Sequence, residues 1–528
     1  MSSSAATAPD HNETGHPRRW FILGVLVLSL LVVVLDNTVL NVAMRTIADP
    51  HAGLGASQGQ LEWAVNSYTL VFAGLLFTFG VLGDRIGRKR MLLIGLALFG
   101  LTSLASAFAQ DPAQLIWARA GMGIGAAAIM PSTLSILSTV FSPRERARAI
   151  GIWSGAVGIG IAIGPIVGGA LLQHFWWGSV FLINVPVVAI ALLAIALVAP
   201  ESRTAVRARI DAVGVGLSMV GLVGLTYGII HGGETSDWGR FTVWGPLLGG
   251  IVVLGLFVLY ESRIGHPALD VRLFKGRRFS SATAVIALVF FGGMGLMFFM
   301  TFYIQIVKGF TPLETGLLFL PFAAAMLIFA PLSSAAVKRF GPRAVAVGGM
   351  TAISVAFIGY QLLEADTPVA VMCLLFFVQG AGMANVMPPA METIMASVPR
   401  DKSGVGSAVG NTVRQVGGSI GIAVLGSQLS QLYRDDITDK LPAGLPDAAS
   451  ESIASTYGVA QQMGDAGRAL IQPATESFIA SMHTTALVSA AVAIAGVVVA
   501  VTLFPKRHTE TATPGQEPAT PEPVLVDA

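Results

Sequence analysis

Asp36 is an acid where few acids occur. It sits in the apolar run from Phe21 to Ala43, within LDNTVLNVAM (Leu35–Met44). An ionised carboxylate inside a membrane-spanning helix costs at least about 3 kcal/mol, so such residues are rare and usually have a task. Asn37 and Asn41 share one helix face, with Asp36 about 100° round from them. Arg119 is a base in the same position, inside a second apolar run. Asp36 lies 9 residues before Arg45, and Arg119 lies 8 residues after Asp111. At 1.5 Å per residue both fall roughly 12–14 Å below the same membrane face. A partner base favours an ionised carboxylate, and burial without one favours the protonated form. Movement between those environments would bind and release a proton, with Asp36 as the coupling acid and Arg119 tuning it. A permanent pair that only joins helices is the alternative. Glu392 and Arg414, about 12 and 18 Å from the opposite face, form a candidate second pair. Glu392 could equally be interfacial.

The elements that must position these residues are membrane helices. The 528 residues are 54% hydrophobic and 12% charged, with a mean hydropathy of +0.71. Nearly uncharged runs of 18 or more residues recur. The runs place about fourteen spans, at approximately 21–44, 61–82, 91–110, 113–139, 148–172, 179–199, 211–231, 242–260, 280–306, 314–336, 344–362, 368–395, 404–431 and 479–504. The fold class is an all-α membrane protein. The 60 glycines suit close helix packing in lipid. The single cysteine, Cys373, excludes an internal disulfide. The first 19 residues lack a signal-peptide cleavage pattern.

Lys and Arg set the orientation. The N-terminus and every second loop hold 24 of the 32, the alternate loops hold 6, and Arg119 and Arg414 lie inside spans. The bias predicts both termini in the cytoplasm and an even number of spans. GVLGDRIGRKR (Gly80–Arg90) follows the second span and KRFGPR (Lys338–Arg343) follows the tenth. Both are short basic turns with glycine at the tight point. With spans seven and eight as an insertion, each turn follows the second span of a six-span half. The expected divisions are a tail at 1–19, a six-helix bundle at 20–200 and a two-span linker at 201–278. A second six-helix bundle follows at 279–505, then a disordered tail at 506–528. The two extra spans read as a spacer or a lipid-facing pair. The segment 433–478 is expected to be a long outer loop, acidic and either hairpin-like or flexible.

In the first basic turn Gly83 and Gly87 permit a tight bend, Asp84 can accept free N–H groups of a helix, and Arg85, Arg88, Lys89 and Arg90 can pair with carboxylates or anionic lipid. The fifth span carries Gly155, Gly158, Gly160, Gly164, Pro165, Gly168 and Gly169, which leave a helix face without side chains and a proline in its interior. Tight packing alone would also explain that face. Thr311-Pro312-Leu313-Glu314 reads as a capping box with proline at the first helical position.

Residues Gly80 to Arg90 resemble the cytoplasmic loop motif of the major facilitator superfamily. That resemblance implies a gating role for Gly80, Gly83, Asp84, Arg85, Gly87 and Arg88, latching the two halves. GIAIGPIVGG, with Gly160, Gly164, Pro165, Gly168 and Gly169, is similar to the antiporter motif of its exporters. LDNTVLNVAM, EWAVNSYTL (Glu62–Leu70), FLINVP (Phe181–Pro186), PALDVRLFKGRRF, YIQIVKGFTPLETG and NTVRQVGGSIGIA (Asn411–Ala423) resemble its drug:proton antiporter branch with fourteen spans. Met122 stands where that family often has Gln, and the segment before FLINVP lacks its usual Arg.

The resemblance implies two six-helix bundles plus two inserted helices, and proton-driven export of lipophilic or cationic drugs by alternating access. Candidate substrate contacts are Asn37, Asn41, Trp63, Tyr68, Met122, Phe298, Tyr303, Asn411 and Gln415, a mixed polar and aromatic set. Export of one dedicated metabolite, or lipid flipping, is the alternative. A membrane enzyme or sensor would want a cytosolic domain or a ligand cluster, and His174, His231 and His483 are scattered. No phosphate loop of the Gly-x4-Gly-Lys-Ser/Thr type occurs. The expectations are therefore no catalysis, no cofactor, no metal and no nucleic acid. A monomer in the plasma membrane would meet small lipophilic substrates, protons and lipids.

Overall fold

The computed structural model describes residues 16–201, 211–265, 269, 271–398, 403–442 and 445–504. Its long helices are α1 (Arg19–Ala48), α2 (Gln58–Ile86), α3 (Arg88–Ala107), α4 (Pro112–Val140), α5 (Pro143–His174) and α6 (Ser179–Val198, interrupted at Ile183). They continue with α7 (Ala212–Thr235), α8 (Phe241–Glu261), α9 (Arg277–Phe302), α10 (Pro312–Phe340, interrupted at Phe319) and α11 (Pro342–Gly359). The last are α12 (Val369–Ala396), α13 (Ser403–Thr438), the short α14 (Ile453–Gln462) and α15 (Arg468–Leu503). Among the described residues eleven helices are long and apolar enough to cross a membrane, or twelve with the bent α2. The other two long helices, α5 and α13, have 32 and 36 residues. A helix lies at each of the fourteen expected spans.

Start signals are local. Ser57 and Gln60 form a capping box at α2, as Thr311 and Glu314 do at α10. Asp111 caps α4 from its side chain, with Pro112 at the first position. Gly87 (φ +114°) and Gly341 (φ +83°) turn the chain between the second and third helices of each half, in backbone conformations that a Cβ resists.

The pairing of helices repeats. In the N-terminal half the first packs on the fifth (α1 on α5), the second and third on the fourth (α2 and α3 on α4), and the third on the sixth (α3 on α6). The C-terminal half repeats this with α9 on α13, α10 and α11 on α12, and α11 on α15. The halves meet reciprocally, α5 against α10 and α2 against α13. The pair α7–α8 stands outside both bundles, with α7 laid against α2 and α13. Exposed Val252, Leu256 and Leu259 on α8 form a surface suited to lipid.

The end that carries Arg85 and Arg88 is called here the basic end, and the other the far end. Three hydrogen bonds between the halves lie at and towards the far end. Arg45 donates to the Gln305 carbonyl, Gln305 Nε2 donates to the Val42 carbonyl at 3.0 Å, and Ser419 Oγ bonds Asn66 Oδ1 at 2.7 Å. Gly169 of α5 meets the backbone of Pro312 and Leu313, and Gly316 of α10 meets that of Pro165, approaches a Cβ would block.

The expected long loop 433–478 is folded where it is described. α13 runs on to Thr438, and α14 buries Ile453, Thr456 and Ala460. Tyr433 and Thr456 share a 2.6 Å hydrogen bond, and Tyr457 and Thr475 one of 2.9 Å. The acidic side chains masked a buried stripe at i, i+3 and i+7 whose one polar member, Thr456, is hydrogen-bonded. The basic turn Lys338–Arg343 lies at the end of α10 and the start of α11.

Candidate functional site

Asp36 and Arg119 face each other across α1 and α4, 2% and 0% exposed. Arg119 Nη1 donates to Asp36 Oδ2. Its Nε donates to the Ala64 carbonyl of α2 at 3.1 Å, and its guanidinium lies 4.4 Å from the Tyr68 ring centre. The base is thus held by charge, by a backbone dipole and by an aromatic face. Nη2 has no hydrogen-bond partner. Hydrogen bonds to the remaining groups of a buried ion pair help offset its desolvation.

Asp36 Oδ1 accepts a bond from Asn184 Nδ2 at 3.2 Å. Asn184 also reaches Ser103 Oγ at 3.1 Å, and Ser103 donates to the Phe181 carbonyl at 2.8 Å. Neither Asn184 nor Ser103 was a candidate from the sequence. Asn184 lies in FLINVP, just past the interruption of α6. Pro186 two residues on removes one helical donor, which suits a helix restarted there. The polar residue beside a helix break was the available sign.

Asn37 and Tyr68 belong to the same cluster. Asn37 Nδ2 donates to the Tyr68 hydroxyl at 3.2 Å and to the Val33 carbonyl at 3.2 Å. Met122 is fully buried, its Sδ 3.8 Å from Arg119 Nη1 and 3.4 Å from Ser106 Oγ. A thioether therefore touches the guanidinium at Met122. Asn41 is half-buried on α1.

The other candidates lie elsewhere. Trp63 faces Tyr227 of α7, with ring centres 6.3 Å apart. Phe298 is buried edge-on to Phe302, and Tyr303 donates to the Glu364 carbonyl at 2.7 Å. Arg414 lies half-buried with its guanidinium 5.7 Å from the Phe290 ring centre, while Glu392 is exposed. Asn411 and Gln415 are half-buried on α13.

The glycines of α5 hold α1 close. A Cβ on Gly160 would stand 2.8 Å from Val34, one on Gly168 2.8 Å from Val39, and one on Gly164 would overlap Thr38 Oγ1. Thr38 is two residues from Asp36, so the bare face of α5 fixes the helix that carries the acid. Pro165 lies inside α5. At the basic end Arg88 Nε bonds Asp84 Oδ1 at 2.9 Å, and Arg88 Nη1 reaches the Ser135 carbonyl at 3.4 Å. Gly80 approaches Pro131, Gly83 approaches Met91, and Arg85 is exposed.

The sequence profile of the Major Facilitator Superfamily matches residues 26–422. The chain is 36% identical to the multidrug efflux pump LfrA of Mycolicibacterium smegmatis, over 94% of this chain and 99% of that protein. It is 35% identical to the methyl viologen resistance protein SmvA of Salmonella typhimurium, over 90% and 95%. It is 34% identical to the tetracenomycin C resistance and export protein of Streptomyces glaucescens, over 96% and 94%. Among solved structures, a bacterial homologue of the human lysosomal transporter Spinster aligns with a TM-score of 0.67 at 19% identity, covering 94% of this chain and 99% of that one. With a transporter fold, a sequence match over most of its length and multidrug efflux pumps among its relatives, this chain belongs to the major facilitator superfamily.

Proposed function

We propose that the protein exports lipophilic or cationic compounds in exchange for protons, by alternating access across the plasma membrane. Relatives named for multidrug efflux, methyl viologen resistance and tetracenomycin C export support the exporter reading. The observation that carries proton coupling is the buried Asp36–Arg119 pair with Asn184 on its second oxygen. Parting and remaking of such a charge pair is a means of taking and releasing a proton. The Lys and Arg bias puts the basic end and both termini in the cytoplasm. Asn37, Tyr68 and Met122 pack around the pair and are the substrate contacts assigned nearest to it. Asn41, Trp63, Phe298, Tyr303, Asn411 and Gln415 are assigned weaker or indirect parts. Asp84 and Arg88, with Arg85, form the gate at the basic end. Glu392 and Arg414 remain the second candidate pair.

The test is proton release from proteoliposomes on adding substrate. Release with the natural protein and none with Asp36→Asn supports antiport. Equal release with both, or none across a broad panel of drugs and organic cations, overturns it. A dedicated exporter is the second reading, favoured by the tetracenomycin C export relative. Resistance confined to one compound class in cells expressing the protein would select it.

A further inference from the structure

Glu62 is a second acid buried inside the N-terminal half, and the mechanism above does not use it. It stands near the start of α2 at the far end and is 1% exposed. Its Oε2 has no hydrogen-bond partner, and neither does Nε2 of Gln58, one turn earlier. Among the described residues no cation forms an ion pair with it, and Arg119, Glu234 and Arg434 of neighbouring helices are engaged elsewhere. On α4 and α1, Arg119 is taken by Asp36 and the Ala64 carbonyl. On α7 the facing group is Glu234, another carboxylate, which accepts from Ser57 Oγ at 3.0 Å and lies 3.9 Å from His231 Nδ1. Tyr227 of the same helix stacks on His231. On α13, Arg434 reaches the Glu234 carbonyl and the Ser236 hydroxyl.

What covers Glu62 is the other half of the molecule. α13 meets it at Gly426, where a Cβ would overlap the carboxylate. Ser419, two turns away on α13, bonds Asn66 of α2 across the same seam. The α2–α13 contact is one of the two reciprocal contacts between halves, so alternating access must open it. An ionised carboxylate sealed there carries a charge that no cation offsets among the described residues, whereas a protonated one is neutral and can donate. Parting of α2 and α13 would hydrate Glu62 and let the proton go.

We propose that Glu62 is a proton-binding site of the far-end gate, loaded from the aqueous phase at that end before α2 and α13 close over it. It rests on the alternating-access reading but not on any role of Asp36. The Glu234 carboxylate opposite strengthens the requirement, since two facing anions oppose closure. The inserted helix α7 thereby acquires a part in gating, because it supplies that second anion.

The experiment is a distance measurement by electron spin resonance on the full chain in nanodiscs, without substrate. Spin labels go at His51→Cys and Asp366→Cys, exposed positions on far-end loops of the two halves, in a Cys373→Ser background. Raising the pH from about 4 to about 9 should move the natural sequence from short to long distances, as Glu62 loses its proton. Glu62→Gln, neutral and of the same shape, should stay short at both ends of the range. Glu62→Asp should keep the transition with a moved midpoint. Asp36→Asn should keep it too, which separates failure of this site from failure of the coupling reading. No pH response in the natural sequence, or an unchanged response in Glu62→Gln, overturns the proposal. Gly426→Ala is the second variant: its Cβ should hold the far end at longer distances at every pH, and an unmoved distribution counts against the contact.

Discussion

Arg119 joins three helices from one buried position. It donates to Asp36 on α1 and to the Ala64 carbonyl on α2, and its guanidinium lies 4.4 Å from the Tyr68 ring centre, from its own seat on α4. The acid and the base are therefore the joint at which three helices of the N-terminal half agree on their positions.

Removing one member of that joint leaves the other charge buried alone. Asp36→Ala should destabilise the protein by about 3–5 kcal/mol, the usual cost of breaking a buried pair. Asp36→Asn keeps a hydrogen-bonding shape and should unfold at a temperature closer to the natural protein's. Thermal unfolding in detergent reads both. Equal unfolding temperatures for Asp36→Ala and the natural protein would deny the pair a structural part.

Gly164 permits α5 to lie against Thr38. Gly164→Val should force the helices apart, at about 1–3 kcal/mol of overpacking, and lower export several-fold. Gly24, with nothing within 4 Å of its Cβ direction, is the control: Gly24→Ala should change neither. Dye efflux from cells and melting temperature measure the two effects.

Gly87 and Gly341 occupy the same place in the two halves, at positive φ. Gly87→Ala and Gly341→Ala should each cost about 1–3 kcal/mol through backbone strain. Similar losses at the two sites are expected from the repeat. A neutral effect at either would mean that its turn relaxes.

The folded cap at the far end has its own pH dependence. Lys440 beside Asp436 holds that carboxyl below its ordinary value, helped by Ser477 of α15. A lowered acid stabilises the fold above its ordinary value of 3.8, and the contribution is lost as pH falls through the lowered one. The cap should therefore loosen only below about pH 4, and salt should weaken the effect because the pair is largely exposed. Hydrogen exchange of α14 at pH 3 and pH 6 checks it. Lys440→Ala should remove the difference.

Local patterns carried much of this. The apolar runs are membrane helices because lipid cannot satisfy backbone groups, and length alone reports them. The capping box at Thr311 and Glu314 and the tight glycines at 87 and 341 were legible because each answers a need of its own turn. Asp36 and Arg119 could be set at one depth because rise per residue is fixed. Helices that are apolar nearly all round, however, do not say which face is inward.

That limit divides what each source decided. The sequence by itself determined that this is a membrane protein of about fourteen helices with a repeated basic turn and a buried acid and base at one level. Only the tertiary structure turned Trp63 towards α7, brought Asn184 to the second oxygen of Asp36, and closed Gly426 over Glu62. The first set depends on spacing along one helix. The second depends on how each helix is rotated against its neighbours, and that rotation is chosen by the packing of small residues between helices distant in sequence.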